Sequence, residues 1–202
     1  MPQSKIGSRT VRMLQSLSTD GRFTVKKLST LIDDMVLGPY SNQHGTLRNN
    51  LVPKKIEIFI WRVMLRRLAV KVELDKRGVD LHSVRCPICD NDLESVDHIT
   101  FSCDRVKDVW VRIYKWWGVN GFMCSNITEL ISSKGPSSMT SVGESIWQAL
   151  KWISLYLIWK NRNTVVFQGK SWNSPMILNE IQTKSFEWIS WRSKGKKFDW
   201  LS

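Results

Sequence analysis

Three cysteines and a histidine fall close together in the chain as Cys86-x2-Cys89-x8-His98-x4-Cys103. Zinc takes four thiolate or imidazole donors in a tetrahedron, and two cysteines separated by two residues grip one ion from a tight turn. Pro87 stiffens that turn, and His98 with Cys103 can close the site. The spacing predicts one structural Zn2+ held by Cys86, Cys89, His98 and Cys103. Four protein ligands leave no position for water, so the expected zinc is structural and no catalytic residue is assigned. A zinc-deaminase pattern fails, because it needs H-x-E upstream of P-C-x-x-C. Here Arg85 precedes Cys86, and neither His44 nor His82 has a glutamate two positions on. A redox C-x-x-C needs a βαβ setting, which the sequence does not offer. The competing reading is a set of free thiols beside an incidental histidine. Glu94, four residues before His98, is either a hydrogen-bond partner for the ring's second nitrogen or a surface acid. Cys124 has no companion at ligand spacing and reads as a small buried hydrophobe.

The elements that would position these ligands are helical. Pro53 opens a helix predicted from Lys54 to about Val70, with Ile56, Phe59, Ile60 and Val63 on its core face. Lys55, Arg62 and Arg66 form a basic stripe on the same predicted helix, and Trp61 reads as core. A further turn or two stops at Gly78, a natural residue just past a helix end. After the cysteines, Val106, Val109, Trp110, Ile113, Tyr114 and Trp117 repeat at three- and four-residue steps, the clearest amphipathic helix in the chain. Cys103 lies on its apolar side, so a bound metal would fix this helix to the cysteine turn. One weak helix follows Ser125. A Ser/Gly/Pro stretch, 132–141, marks a boundary. A long helix runs from about Glu144 to Phe167 with Ile146, Leu150, Ile153 and Leu157 on its apolar face. A last helix, Pro175 to Trp191, precedes a basic tail. Residues 1–20 read as disordered, Arg22 to Val25 as a short strand, Lys26 to Asp34 as a short helix and Gly38 to Asn50 as a loop. The expected fold is mainly α, with a small zinc knuckle embedded between helices and a C-terminal helical segment. The expected units are 1–20, a zinc domain at 21–118, a linker at 119–143 and a helical region at 144–202.

The chain has 202 residues, a net charge of +12, 42% hydrophobic residues and eleven tryptophans. That composition can bury a core, and the basic balance favours an acidic partner, of which nucleic acid is the commonest. No apolar run reaches the ~20 residues of a membrane span, and the first twenty residues lack the apolar core of a secretion signal. The expectation is an intracellular chain, in nucleus or cytoplasm, with no membrane and no small-molecule substrate.

At these residues the chain resembles the reverse-transcriptase zinc-binding domain of plant LINE-type retrotransposon polyproteins. The resemblance runs from about Gly21 to Trp117. It includes Gly21-Arg22-Phe23-Thr24-Val25-Lys26, Val52-Pro53-Lys54-Lys55-Ile56, Phe59-Ile60-Trp61-Arg62, then Leu74, Arg77 and Gly78. It continues through Cys86-Pro87-Ile88-Cys89, Glu94, His98, Cys103 and Val109-Trp110. The chain departs from the family pattern at Asn49-Asn50-Leu51, where a tryptophan is usual, and at Ala69-Val70, where Pro-Thr is usual. A second, shorter likeness covers Ile158 to Asn163.

The resemblance implies a role beside a polymerase, contacting RNA or DNA or the polymerase domain itself. The polymerase is absent from this sequence: Asp33-Asp34 lacks the aromatic and the strand-turn setting of a polymerase metal site and reads as a helix-end surface pair. The residues expected to meet nucleic acid are Lys54, Lys55, Arg62, Arg66 and Arg67, with the tail lysines Lys194, Lys196 and Lys197. Two other readings stand beside it, a zinc-stabilised protein-interaction scaffold and a decayed transposon fragment.

Overall fold

The computed structural model describes residues 48–119, 124 and 126–193. The chain divides into two units, 1–47 and 48–202; the strand, helix and disorder expected before residue 48, and the tail lysines, lie outside the described residues. The described part is mainly helical, and a Cys/His cluster sits between its helices. Its elements are α1 (Lys54–Met64), α2 (Lys71–Asp75), a π-type turn (His98–Ser102), α3 (Asp104–Trp116), α4 (Ile127–Ser132), α5 (Ser141–Gln168) and α6 (Ser174–Arg192). None of these helices is long and apolar enough to cross a membrane.

Each long helix starts and stops where local chemistry dictates. Thr140 accepts from the Gly143 N–H at the start of α5, and Asn173 from the Met176 N–H at the start of α6. These side chains replace partners that the first turn of a helix lacks. α5 ends on Gly169 at φ 63, a left-handed conformation that glycine adopts without a Cβ penalty.

α1 stops at Met64, several residues short of the predicted end. Arg66 takes φ 53, the Arg66 N–H donates to the Val63 carbonyl and the Arg67 N–H to the Arg62 carbonyl. This pair of bonds is the glycine-type helix stop, here built on an arginine. With no glycine to mark it, the sequence pattern carried the helix too far. The chain then turns so that Leu68 and Val70 are buried.

The core lies where α1, α3, α5 and α6 meet. α5 packs on α1, α4, α6 and the π-type turn, while α6 also packs on α3. Ile56, Ile60 and Val63 of α1 are buried, as are Trp110 and Ile113 of α3, and Ile177, Ile181 and Ile189 of α6. α5 is buried nearly all round through Trp147, Leu150, Trp152, Ile153, Leu155 and Ile158. Tyr114 meets Trp147 edge-on at 5.1 Å between ring centroids, a favoured aromatic geometry. The segment read as a linker contains α4, which the buried Lys151 joins to α5 by donating to the Ile131 and Ser133 carbonyls.

Candidate metal centre

The cysteine turn is closed by short-range backbone bonds. The Cys86 N–H donates to Asp92 O at 2.7 Å, the Asp90 N–H to Cys86 O at 2.9 Å and the Glu94 N–H to Val84 O at 2.9 Å. Arg85 and Leu93 pair as an isolated antiparallel bridge. The reversal needs a left-handed residue, and Asp90 supplies it at φ 56, a conformation aspartate tolerates better than most.

The x4 spacing between His98 and Cys103 has its own structural cause. The segment between them winds as a π-type turn, so that the Cys103 N–H donates to the His98 carbonyl five residues back at 2.9 Å. An i to i+5 bond places those two residues one turn apart on the same side. Ser95 Oγ accepts from the His98 N–H, and the Trp110 indole N–H donates to the Thr100 carbonyl at 2.9 Å. α3 thereby holds the turn that carries the third ligand, while Cys103 is its own N-cap residue.

The four side chains converge: one ligand atom from each of Cys86, Cys89, His98 and Cys103 lies within 4.8 Å of the others. Cys89 Sγ is 3.3 Å from His98 Nε2. In a zinc tetrahedron with ~2.3 Å sulfur and ~2.0 Å nitrogen bonds, that edge would be about 3.5 Å. Cys86, Cys103 and His98 are buried, and Cys89 is half-buried. His98 offers Nε2 to the cluster and turns Nδ1 towards Asp92 Oδ2 at 3.8 Å.

Cys86 and Cys103 share one hydrogen bond, and their thiols shift in opposite directions. The Cys86 thiol is drawn well below its ordinary range, first by the hydrogen bond from Cys103, against the opposing effect of burial, with the Cys89 and Ile88 backbone N–H groups adding to the drop. Cys103 is pushed up by donating to Cys86 and by burial, while the Val106 and Arg105 N–H groups at the start of α3 pull the other way. Both thiols therefore sit among backbone donors aimed at sulfur, which a metal thiolate uses to spread its negative charge. A thiolate-rich donor set with an imidazole, buried and backed by N–H groups, fits a zinc or similarly soft divalent ion.

Glu94 differs from the expectation. Its carboxylate is fully buried and is taken up by Arg162 of α5 rather than by His98, with Nε to Oε1 and Nη2 to Oε2 both at 2.5 Å. Oε2 also accepts from the Lys71 N–H at 2.9 Å. A carboxylate sealed from water needs a full charge partner, which the Arg162 guanidinium supplies. Asp92, not Glu94, lies on the Nδ1 side of His98.

The basic residues of α1 scatter. Lys54 pairs with Glu57 at 2.6 Å. Lys55 lies over the rings of Tyr156 and Trp188. Arg62 and Arg67 are exposed. Arg66 leaves the predicted stripe because the helix has ended, and it pairs with Asp97 of the knuckle. Trp61 is half-buried with its indole nitrogen sealed from solvent. Cys124 stands outside the cluster, half-buried, its Sγ 3.9 Å from the Tyr114 hydroxyl.

Arg162 and the aromatic surroundings of Lys55 are the residues that sequence reasoning missed. Arg162 lies inside the Ile158 to Asn163 stretch, so the signal was present, but nothing local connects it to Glu94.

The family model described as zinc-binding in reverse transcriptase matches residues 23–110. All four converging ligands lie inside the matched stretch, and α4, α5 and α6 lie beyond it. No curated protein and no solved structure matches the chain.

Proposed function

We propose that this chain is a structural zinc module of a LINE-type retrotransposon reverse transcriptase, of the plant kind, and that it assists the polymerase by binding RNA or DNA. The observation that carries this reading is the convergence of Cys86, Cys89, His98 and Cys103 within 4.8 Å, inside a stretch matched by a reverse-transcriptase zinc-binding family. Zinc supplies no reaction here; it serves as a Lewis-acid crosslink between the cysteine turn, the π-type turn and α3. Cys86 and Cys89 hold it from one side and His98 and Cys103 from the other. Asp92 lies 3.8 Å from His98 Nδ1 on the far side of the imidazole, and Glu94 with Arg162 joins the knuckle to α5. The matched family is a zinc-binding domain, not the polymerase domain, which agrees with an accessory rather than catalytic role. The net charge of +12 supports a polyanionic partner.

The test has two parts. Metal analysis of the purified chain should return one zinc, lost in both Cys86→Ser and His98→Ala. A gel-shift titration should show nucleic-acid binding that weakens steeply with added salt. Absence of any shift at low salt would remove the nucleic-acid half and leave a zinc-stabilised scaffold.

A further inference from the structure

The face shared by α1, α5 and α6 carries aromatic rings interleaved with cations. Lys55 Nζ lies 5.5 Å from the Tyr156 ring centroid and 5.2 Å from that of Trp188. Lys184 Nζ lies 5.9 Å from the Trp188 ring, on the same helix. Tyr156 and Trp188 are neighbours at 6.5 Å, and Phe59 braces Tyr156 edge-on at 5.6 Å. Lys184, Trp188 and Trp191 follow at steps of four and three, so they share one side of α6. Trp191 is 81% exposed, and the Arg192 guanidinium lies 5.8 Å from its ring.

An exposed tryptophan beside two half-buried aromatics contributes little to the core. It does offer flat π-faces to something outside. The charges indicate what. Among the described residues no carboxylate pairs with Lys55 or Arg192, whereas Lys184 is held by Glu187 at 2.6 Å. Two cations that lie against rings rather than on a described carboxylate suit a ligand that alternates phosphates with planar bases. A double helix hides its base faces, so the rings would select unpaired strands.

We infer that Lys55, Tyr156, Lys184, Trp188, Trp191 and Arg192 form a stacking platform for single-stranded nucleic acid. The inference rests on the nucleic-acid reading above and relocates its centre from Arg62, Arg66 and Arg67 to the aromatic face of α6. Exposed guanidinium groups at Arg62 and Arg67 would contribute phosphate attraction only.

The test uses the full-length, zinc-loaded chain and fluorescence anisotropy at low salt. The probes are a labelled 20-nucleotide RNA without secondary structure, the DNA strand of the same sequence and the corresponding duplex. Trp191→Ala should weaken single-strand binding about tenfold, the scale of one lost base stack, while Trp191→Phe should keep most of the affinity. Lys55→Gln with Arg192→Gln should lower the salt dependence by about two phosphate contacts. Trp191 is exposed, so these variants should retain the helical content of the parent, checked by circular dichroism. If the parent binds strands but Trp191→Ala binds equally well while Arg62→Gln with Arg67→Gln loses binding, the platform is overturned and the nucleic-acid reading stands. Equal affinity for duplex and single strand also overturns it. If the parent binds none of the probes, both readings fall.

Discussion

The knuckle at residues 84–103 and the α5–α6 pair hold their shapes by different means. Between 84 and 95 only Cys86 and Glu94 are buried, one a ligand and the other a charged group. That loop has no apolar interior of its own; its centre is the point where four donor atoms meet. α5 by contrast buries Trp147, Trp152, Leu155 and Ile158, side chains worth about 1.5–3 kcal/mol each on full burial. The backbone follows the same division. Among the described residues, the two non-glycine residues at positive φ, Arg66 and Asp90, flank the metal side, while α5 ends on Gly169. On the proposed reading an ion imposes the knuckle's shape, and a region so held can tolerate unfavourable residues, whereas one that relies on burial and capping uses residues suited to each position. The buried Glu94–Arg162 pair is where the two meet.

Removing the metal should separate the regions most sharply. Structural zinc contributes on the order of 10 kcal/mol in small modules, more than the knuckle's few backbone bonds can replace. Hydrogen exchange on chelated protein should show the Cys86, Asp90 and Glu94 amides losing protection while α5 amides stay protected. Unchanged protection at those three amides would mean that the loop holds without an ion, and the contrast would be broken. The next largest effect is expected at the junction. Arg162→Ala strands a buried carboxylate and should cost about 3–5 kcal/mol, read as a lower denaturant midpoint. Glu94→Leu with Arg162→Leu removes both charges and should cost much less. A double variant as damaged as the single one would show that the pair positions the knuckle beyond its charge balance.

How much of this was legible follows from the reach of each interaction. The converging cluster was readable because a metal site demands particular residue types at short spacing, and Cys86 to Cys103 satisfies that within eighteen positions. Gly78, at φ 78, marks the predicted stop. α3 and α5 were readable from apolar periodicity, and the limits expected for α3, α5 and α6 moved by only a few residues. The π-type turn was not, since five residues give no periodicity and its defining bond is with Cys103 itself. The end of α1 was hidden because Arg66 stands where a glycine would be sought. The partner of Glu94 was hidden for a different reason: Arg162 is 68 residues away, and only tertiary packing brings them together.

A smaller effect belongs to the burial-built side. Lys151 projects from α5 to the carbonyls of Ile131 and Ser133, and burial holds its ammonium group down to about 8 against the partial support of Glu144 and Cys124. Its ordinary value is 10.5. Between these two values the unfolded chain carries more protons than the folded one, so stability rises with pH there. The rise should be about 2 kcal/mol from pH 8 to pH 10. Denaturant unfolding of the zinc-loaded chain should show it, and Lys151→Met should flatten it. A parent whose stability profile matches that of Lys151→Met over this range would show that the lysine stays charged in the folded protein.

The smallest effects test the backbone half of the comparison, and they should have opposite signs. Gly169 has open space around its missing Cβ, so Gly169→Ala meets no steric obstacle and is opposed only by its φ of 63. The left-handed cost of ~1–2 kcal/mol exceeds the ~0.4–1 kcal/mol gained by restricting the unfolded chain, leaving a net loss of about 1 kcal/mol. Asp90→Gly reverses both terms at φ 56. Aspartate tolerates this conformation better than alanine does, so the gain should be smaller, about 0.5 kcal/mol. Both are read from denaturant midpoints of the zinc-loaded protein. A loss of stability in Asp90→Gly would place the knuckle among the regions whose residues already suit their backbone, and the ion would then be holding a loop that needs little holding.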